Sequence, residues 1–186
     1  MGPPKNLLAE KLKAMRKLRN IAIVSFACYA ICSCISINGT GYSLLSQEER
    51  MRIKPCPIDM DSINDFGTLY SITAEEAIAY IQQEEKVLVY EYLPFCKSKN
   101  CILPETVYDS CTTRGIKCLI ISSTYDRLFP LNNKYPLFVI NHSVYKKDNY
   151  QANSEKFYRA ITKNDSDRRK YSNFHYFENG HYVDSY

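Results

Sequence analysis

The chain of 186 residues contains no tryptophan and only six glycines, and no stretch of it is rich in glycine. A phosphate-binding loop needs closely spaced glycines, because only glycine lets backbone N–H groups approach phosphate oxygens freely. The sequence also has no set of serine, histidine and acidic residues that its own spacing would bring together. We therefore expect neither a phosphate-binding loop nor a serine-hydrolase site.

The chain has little excess charge, and that excess lies at one end. It carries 24 Lys and Arg against 20 Asp and Glu, a formal net charge of +4. Residues 1–34 hold six basic residues and one acidic residue, so this segment has a net charge of +5 and the remainder −1. A nucleic-acid-binding protein needs its positive charge on the folded body. We therefore expect no nucleic-acid partner.

Residues 21–37 form an uncharged, largely apolar run directly behind the basic segment. This order is typical of a secretory signal peptide or an N-terminal membrane anchor, and it predicts one of the two over residues 1–37. Positive residues stay on the cytoplasmic side, so the rest of the chain should lie outside the inner membrane. The run is shorter than the roughly 20 residues that a complete span needs.

Residues 31–34 resemble a bacterial lipobox, which implies lipidation of Cys34 after cleavage. One alternative is an uncleaved anchor in which Cys28, Cys32 and Cys34 are apolar fillers. Another is ordinary cleavage or a buried helix. Lipidation and a retained anchor both predict a membrane-tethered protein that faces the periplasm or the cell surface, where disulfides persist.

Residues 38–65 read as a tether between the leader and the body. The segment is polar, and Pro55 and Pro57 disfavour helix on both sides of Cys56. We expect a loosely ordered arm.

The body, residues 66–163, begins with a strand and a capped helix. Residues 67–72 are β-prone, and Thr73 is followed three residues later by Glu76, the spacing of a capping box. The helical spacing of the apolar residues behind this box predicts one buried face.

Two apolar segments then predict neighbouring central strands. Residues 86–92 and 116–122 are rich in β-branched and aromatic side chains. Between them, Pro104 suits the first turn of a helix that Gly115 can close. A parallel pair joined by a helix is a βαβ unit, which is buried on both faces.

The pattern changes after the βαβ unit. Residues 137–141 and 144–147 predict two strands joined by a hairpin turn. Residues 154–163 predict a last helix, capped by Asn153 or Ser154.

Residues 164–186 form a polar, tyrosine-rich tail. The Asn179-Gly180 pair is a strong hairpin signal between residues 174–177 and 181–183. The tail is then either a hairpin packed on the edge of the domain or an aromatic surface that binds a partner.

Residues 66–163 resemble the thioredoxin-like fold family in element order and in two local motifs. The first motif is Phe95-Cys96 immediately after the strand 86–92, with Pro104 eight residues beyond the cysteine. The second is Tyr135-Pro136 before residues 137–141, which looks like the cis-proline of the family. The resemblance, to a bacterial membrane-anchored or lipoprotein type, implies an α/β fold of three layers, with a mixed central sheet and helices on both faces.

The resemblance also implies a chemistry, thiol–disulfide exchange with protein or peptide thiols. Cys96 stands where the family has its nucleophile, and Cys101 would be the resolving cysteine. The two are separated by four residues where the family has two, and Lys99 stands at the usual resolving position. Phe95, Tyr135 and Pro136 would contact the substrate. The alternative is a redox-inactive binding or assembly module in which the cysteines are structural.

Whether Cys96 and Cys101 can bond depends on where the helix starts. A disulfide needs Cα atoms about 4.4–6.8 Å apart, whereas five residues of continuous helix advance about 7.5 Å along the axis. A helix that begins near Pro104 leaves residues 97–100 free to loop, so we favour a disulfide over two unpaired cysteines.

The remaining cysteines and histidines predict no cofactor. Cys118 lies in an apolar strand and reads as a small buried side chain, while Cys111 has Cys118 and Cys56 as alternative partners. His142 lies in a predicted turn and offers only a faint likeness to a copper site. We expect no metal and no cofactor.

Overall fold

The computed structural model describes residues 39–96, 101–129, 134–145 and 148–186. The predicted signal or anchor over residues 1–37, and with it Cys34, lies outside these residues. None of the helices among the described residues is long and apolar enough to cross a membrane.

The described residues form one mixed seven-stranded sheet. Its strands are β1 (Ile53–Pro55), β2 (Leu69–Ile72), β3 (Lys86–Tyr92), β4 (Lys117–Ser122), β5 (Leu137–Ile140), β6 (Phe174–Glu178) and β7 (His181–Ser185). They lie in the order β1-β2-β5-β4-β3-β6-β7. The first five strands in this order are parallel to one another, β6 is antiparallel to β3, and β7 is antiparallel to β6.

Six α-helical segments and two short 3-10 turns accompany the sheet in the described part of the chain. The helices are α1 (Gln47–Met51), α2 (Ala74–Ile81), α3 (Pro104–Thr113), α4 (His142–Tyr145), α5 (Tyr150–Thr162) and α6 (Asp167–Lys170). The 3-10 turns are Tyr42–Leu44 and Met60–Ser62.

Helices cover both faces of the sheet. On one face, Ala77 and Ile81 of α2 and Phe157 of α5 pack on side chains of the central strands. On the other face, Val107 and Cys111 of α3 form a second core cluster with the intervening residues of the same strands. Alternation along a strand sends successive side chains to opposite faces, so the central strands are buried on both sides. The predicted mixed α/β architecture is confirmed.

The central βαβ unit follows the sequence signals. β3 and β4 are parallel neighbours, with Val87 opposite Lys117 and Tyr92 opposite Ser122. The connecting helix α3 begins at Pro104 and is followed by Gly115, which has a φ of 65°. A positive φ is strained for residues with a Cβ, so glycine suits this turn into β4.

The predicted hairpin over residues 137–147 is wrong. Residues His142–Tyr145 form a helical turn, and β5 lies in parallel between β2 and β4. The Asn141 side chain accepts hydrogen bonds from the backbone N–H and the hydroxyl of Ser143, at 3.1 and 2.6 Å. These bonds stabilise a helical start after Asn141 in place of a strand reversal.

Residues 39–65, the described part of the expected tether, differ from the loose arm that we expected. β1 pairs with β2, and the Cys56 N–H donates to the Ser71 carbonyl at 3.0 Å. Thr40 is buried, and its N–H and hydroxyl donate to the Asp148 carboxylate at 2.7 and 2.6 Å. Pro55 lies at the edge of the sheet, where its missing N–H costs no ladder hydrogen bond.

The C-terminal segment adds two strands to the sheet. A turn at Asn179 and Gly180, with φ of 47° and 78°, joins β6 to β7. β6 pairs with β3 over its whole length, so residues 174–178 occupy a place beside the central strand.

Candidate functional site

Cys96 and Cys101 form a disulfide beyond the carboxyl end of β3. Their Cα atoms are 6.1 Å apart, and both residues are half-buried. The chain turns after β3, where the Cys96 N–H donates to the Leu93 carbonyl at 3.0 Å. Since α3 starts only at Pro104, the two cysteines lie in non-helical chain, as the favoured alternative requires.

The disulfide adjoins the amino end of α3. Residue Leu103 caps the helix without a side-chain hydrogen bond, and the Tyr90 hydroxyl donates to the Ile102 carbonyl at 2.6 Å. Tyr90 therefore fixes the chain next to Cys101. The partial positive charge at a helix amino end favours a nearby thiolate. Ile102 and Leu103 are 42% and 72% exposed, so apolar surface lies beside Cys101.

Phe95 packs at the other end of this segment. Its ring lies edge-on to the Tyr150 ring at 5.5 Å between centroids, at the first residue of α5. Phe95 therefore holds the chain before Cys96 against α5, while Tyr90 holds the chain after Cys101.

Tyr135 and Pro136 are placed along α3. The Tyr135 ring is buried, 5.5 Å from that of Tyr108, and the neighbouring Lys134 ammonium is 3.4 Å from a Glu105 carboxylate oxygen. Pro136 lines a cavity of about 400 Å³ with Thr112 and Gly115, at the far end of the helix.

The structure therefore does not bring Pro136 to the disulfide. β5 runs parallel to β4 and β3, so the residue before β5 lies toward the edge where these strands begin. Cys96 lies beyond the edge where they end. Of the three residues expected to contact substrate, Phe95 is next to Cys96 in the chain, and Tyr135 lies over the first half of α3.

Sequence patterns missed Glu91, five residues before Cys96. It is half-buried beneath α5, where the Ser154 hydroxyl donates to its carboxylate at 2.5 Å. Burial raises the pKa of Glu91 to about 7, against the opposing effect of the Ser154 hydrogen bond. The available signal was that Glu91 is the one acidic residue in the strand predicted over residues 86–92.

His142 lies among aromatic rings. Its ring stacks on Tyr42 at 3.7 Å between centroids, and its Nδ1 is 3.2 Å from the Tyr125 hydroxyl. Burial lowers the pKa of His142. Within residues 39–96, 101–129, 134–145 and 148–186, no three His, Cys, Asp or Glu side chains are grouped to hold a metal ion.

The three other described cysteines, Cys56, Cys111 and Cys118, are free thiols. No protein-family model matches the chain, and comparisons with curated proteins and with solved structures give no match.

Proposed function

We propose that the protein is a membrane-tethered, thioredoxin-like thiol–disulfide exchange protein that acts through Cys96 and Cys101. The observation that carries the proposal is the half-exposed disulfide between the end of the central strand β3 and the start of α3. A disulfide that takes part in exchange must admit a second sulfur, and exposed disulfides are the ones that exchange readily.

In the reduced protein, the Cys96 thiolate attacks one sulfur of a substrate disulfide and releases the other as a thiolate. The Cys101 thiolate then attacks the Cys96 sulfur, which releases the second substrate thiolate and forms the Cys96–Cys101 disulfide. Two electrons pass from the protein to the substrate. The exposed side chains of Ile102 and Leu103 give an apolar surface for a substrate peptide next to the reacting sulfurs.

A second candidate is a binding module whose Cys96–Cys101 bond is only structural. The position of Pro136, away from the disulfide, favours it, because the resemblance would have the proline next to the nucleophile.

Cys96→Ser in the full chain distinguishes the two candidates. We expect wild-type protein to reduce insulin disulfides in the presence of dithiothreitol and Cys96→Ser to lose this activity. We expect Cys101→Ser to accumulate mixed disulfides with substrate on Cys96. Cys56→Ser is the matched control, because Cys56 is a free thiol next to the edge strand β1, which three other strands separate from β3. Equal activity in wild type and Cys96→Ser would reject the exchange function and leave the binding module.

The membrane tether is tested separately, by fractionating cells that express the full chain. We expect the protein in the membrane fraction, with its body open to external protease. Metabolic labelling with a fatty acid then separates the two tethers: Cys34→Ser abolishes the label if Cys34 is lipidated, and the wild type is unlabelled if the anchor is retained. Recovery of the protein in the soluble fraction would contradict both the lipid tether and the retained anchor.

A further inference from the structure

We propose that Cys111 and Cys118 form a second thiol pair, which a low-molecular-weight disulfide oxidises reversibly to an intramolecular disulfide. The proposal does not depend on the exchange reaction at Cys96 and Cys101. It assigns a redox modification site to the connection between α3 and β4.

The turn between α3 and β4 brings the two side chains to the same core cluster. Cys111 lies on the sheet-facing side of the last turns of α3 and is 3% exposed. Cys118 is the second residue of β4 and packs against the same core cluster. The Ile116 N–H donates to the Cys111 carbonyl at 2.9 Å, which fixes the start of β4 against the end of the helix. Leu88, which lies opposite Cys118 in the β3–β4 ladder, lines the same groove as Cys111, so the Cys111 and Cys118 side chains share one face of the sheet.

The surroundings make the two thiols unequal. The hydrogen bond from Cys118 lowers the pKa of Cys111, and the nearby Arg114 guanidinium lowers it further against the effect of burial. The same hydrogen bond, together with burial, raises the pKa of Cys118. Cys111 is therefore the first of the pair to become a thiolate, with the Cys118 S–H as its donor.

Each of the two cysteines lines a cavity on the protein surface. Cys111 lines a groove of about 290 Å³ between α3 and the C-terminal strands, together with Leu88 and Phe174. Cys118 lines the separate cavity of about 400 Å³ that also contacts Lys117. Spaces of this size admit a compact disulfide but not a folded protein. The oxidant is therefore a low-molecular-weight disulfide.

The reaction proceeds in two exchanges. The Cys111 thiolate attacks one sulfur of the small disulfide, which forms a mixed disulfide and releases one small thiolate. Cys118 then loses its proton to solvent and attacks the Cys111 sulfur, which forms the Cys111–Cys118 bond and releases the second small thiolate. Two protein thiols are oxidised and one small disulfide is reduced to two thiols.

The test uses the full chain and 2-hydroxyethyl disulfide, with 2-mercaptoethanol to reverse the reaction. After incubation and alkylation, digestion with trypsin and a glutamate-specific protease separates all the cysteines involved. Trypsin cleaves after Arg114 and Lys117, between Cys111 and Cys118, and cleavage after Glu105 separates Cys111 from Cys101. We expect a cross-linked peptide pair containing Cys111 and Cys118 that is lost on reduction.

Three variants test the site, so that two measurements remain if one variant folds poorly. Cys118→Ser should retain a stable mixed disulfide on Cys111, and Cys111→Ser should retain a free Cys118 thiol. The double variant Cys96→Ser/Cys101→Ser should give the same yield of the Cys111–Cys118 bond, which separates this site from the proposed exchange reaction. Two free thiols after oxidation of the wild type, or a bond from Cys111 to Cys56, would overturn the proposal.

Discussion

Two titratable side chains lie beneath α5, Glu91 half-buried and His175 buried, and burial favours the neutral form of each. Glu91 accepts its hydrogen bond from Ser154, and burial raises its pKa to about 7. His175 is 1% exposed, its Nδ1 is 2.8 Å from the Ser185 hydroxyl, and burial lowers its pKa to about 3. The two groups therefore act oppositely on stability, since His175 favours folding at higher pH and Glu91 at lower pH.

We predict that the wild type becomes less stable relative to Glu91→Gln as the pH rises, because the variant has no carboxylate to ionise at this position. The folded-state pKa of Glu91, about 7, exceeds the usual value of 4.5, so the folded state binds the proton more tightly. The contribution of Glu91 is therefore fully present below pH 4.5 and is lost as pH rises through 7. As the pH rises from 5 to 8, the free energy of unfolding of the variant should therefore increase by about 2 kcal/mol relative to that of the wild type.

Urea unfolding at four pH values between 5 and 8 measures this difference. Glu48→Gln, on the exposed face of α1, is the matched control and should follow the wild type. Parallel curves for wild type and Glu91→Gln would show that the Glu91 carboxylate is not desolvated.

At the scale of secondary-structure elements, capping residues, proline and glycine predicted most of the helix boundaries. Thr73 and Glu76 form the capping box of α2. The Glu76 N–H donates to the Thr73 hydroxyl oxygen at 3.2 Å, and the Thr73 N–H donates to the Glu76 carboxylate at 2.7 Å. Pro104 and Gly115 bracket α3 as expected. These signals work because the hydrogen bonds and dihedral angles that they specify lie within a few residues.

One local signal was overlooked: α5 begins at Tyr150, four residues before the predicted start, because the Asn149 side chain accepts from the Ala152 N–H. Other signals failed because a distant partner decides the structure. The Cys96–Cys101 bond was expected from spacing, but the place of Pro136 depends on the insertion of β5 between β2 and β4. Strand order arises from long-range packing, which local patterns do not encode.

We predict that Gly180→Ala destabilises the β6–β7 hairpin, whereas Gly67→Ala does not. Gly180 has a φ of 78°, and an added Cβ would lie 3.2 Å from the Gln82 Cα. Gly67 has no positive φ, and its Cβ would meet only an Asp65 carboxylate oxygen, at 3.5 Å. We expect Gly180→Ala to lower the free energy of unfolding by about 1–2 kcal/mol and Gly67→Ala to change it by less than about 0.5 kcal/mol. Urea unfolding of both variants measures this, and equal losses would contradict it.

At the scale of the whole molecule, the C-terminal segment is part of the core. Phe177 is 1% exposed and packs in the cluster beneath α2 and α5. Arg169 is 2% exposed and makes two hydrogen bonds to the Glu155 carboxylate, at 3.1 and 2.5 Å. Residues 164–186, expected either as a hairpin on the edge of the domain or as a partner-binding aromatic surface, therefore contribute side chains to the same core as residues 66–163.

We predict that a chain ending at residue 163 loses cooperative unfolding. Truncation removes Phe177 from the core, leaves the Glu155 carboxylate without Arg169, and exposes the edge of β3 that pairs with β6. An unpaired apolar strand edge promotes association between chains. We expect a broad urea transition by circular dichroism and large species in gel filtration, whereas the full chain under the same conditions should give a single transition.

Point variants separate loss of core packing from loss of length. Phe177→Ala should cost about 3–4 kcal/mol because it leaves a cavity in a fully buried cluster. Tyr171→Ala, at a side chain that is 86% exposed, should change stability by less than about 0.5 kcal/mol. If the truncated chain unfolds cooperatively at the urea midpoint of the full chain and Phe177→Ala matches Tyr171→Ala, residues 164–186 form an appended hairpin. An aromatic surface that binds a partner then becomes the better account of this segment, because its side chains would be free to leave the core.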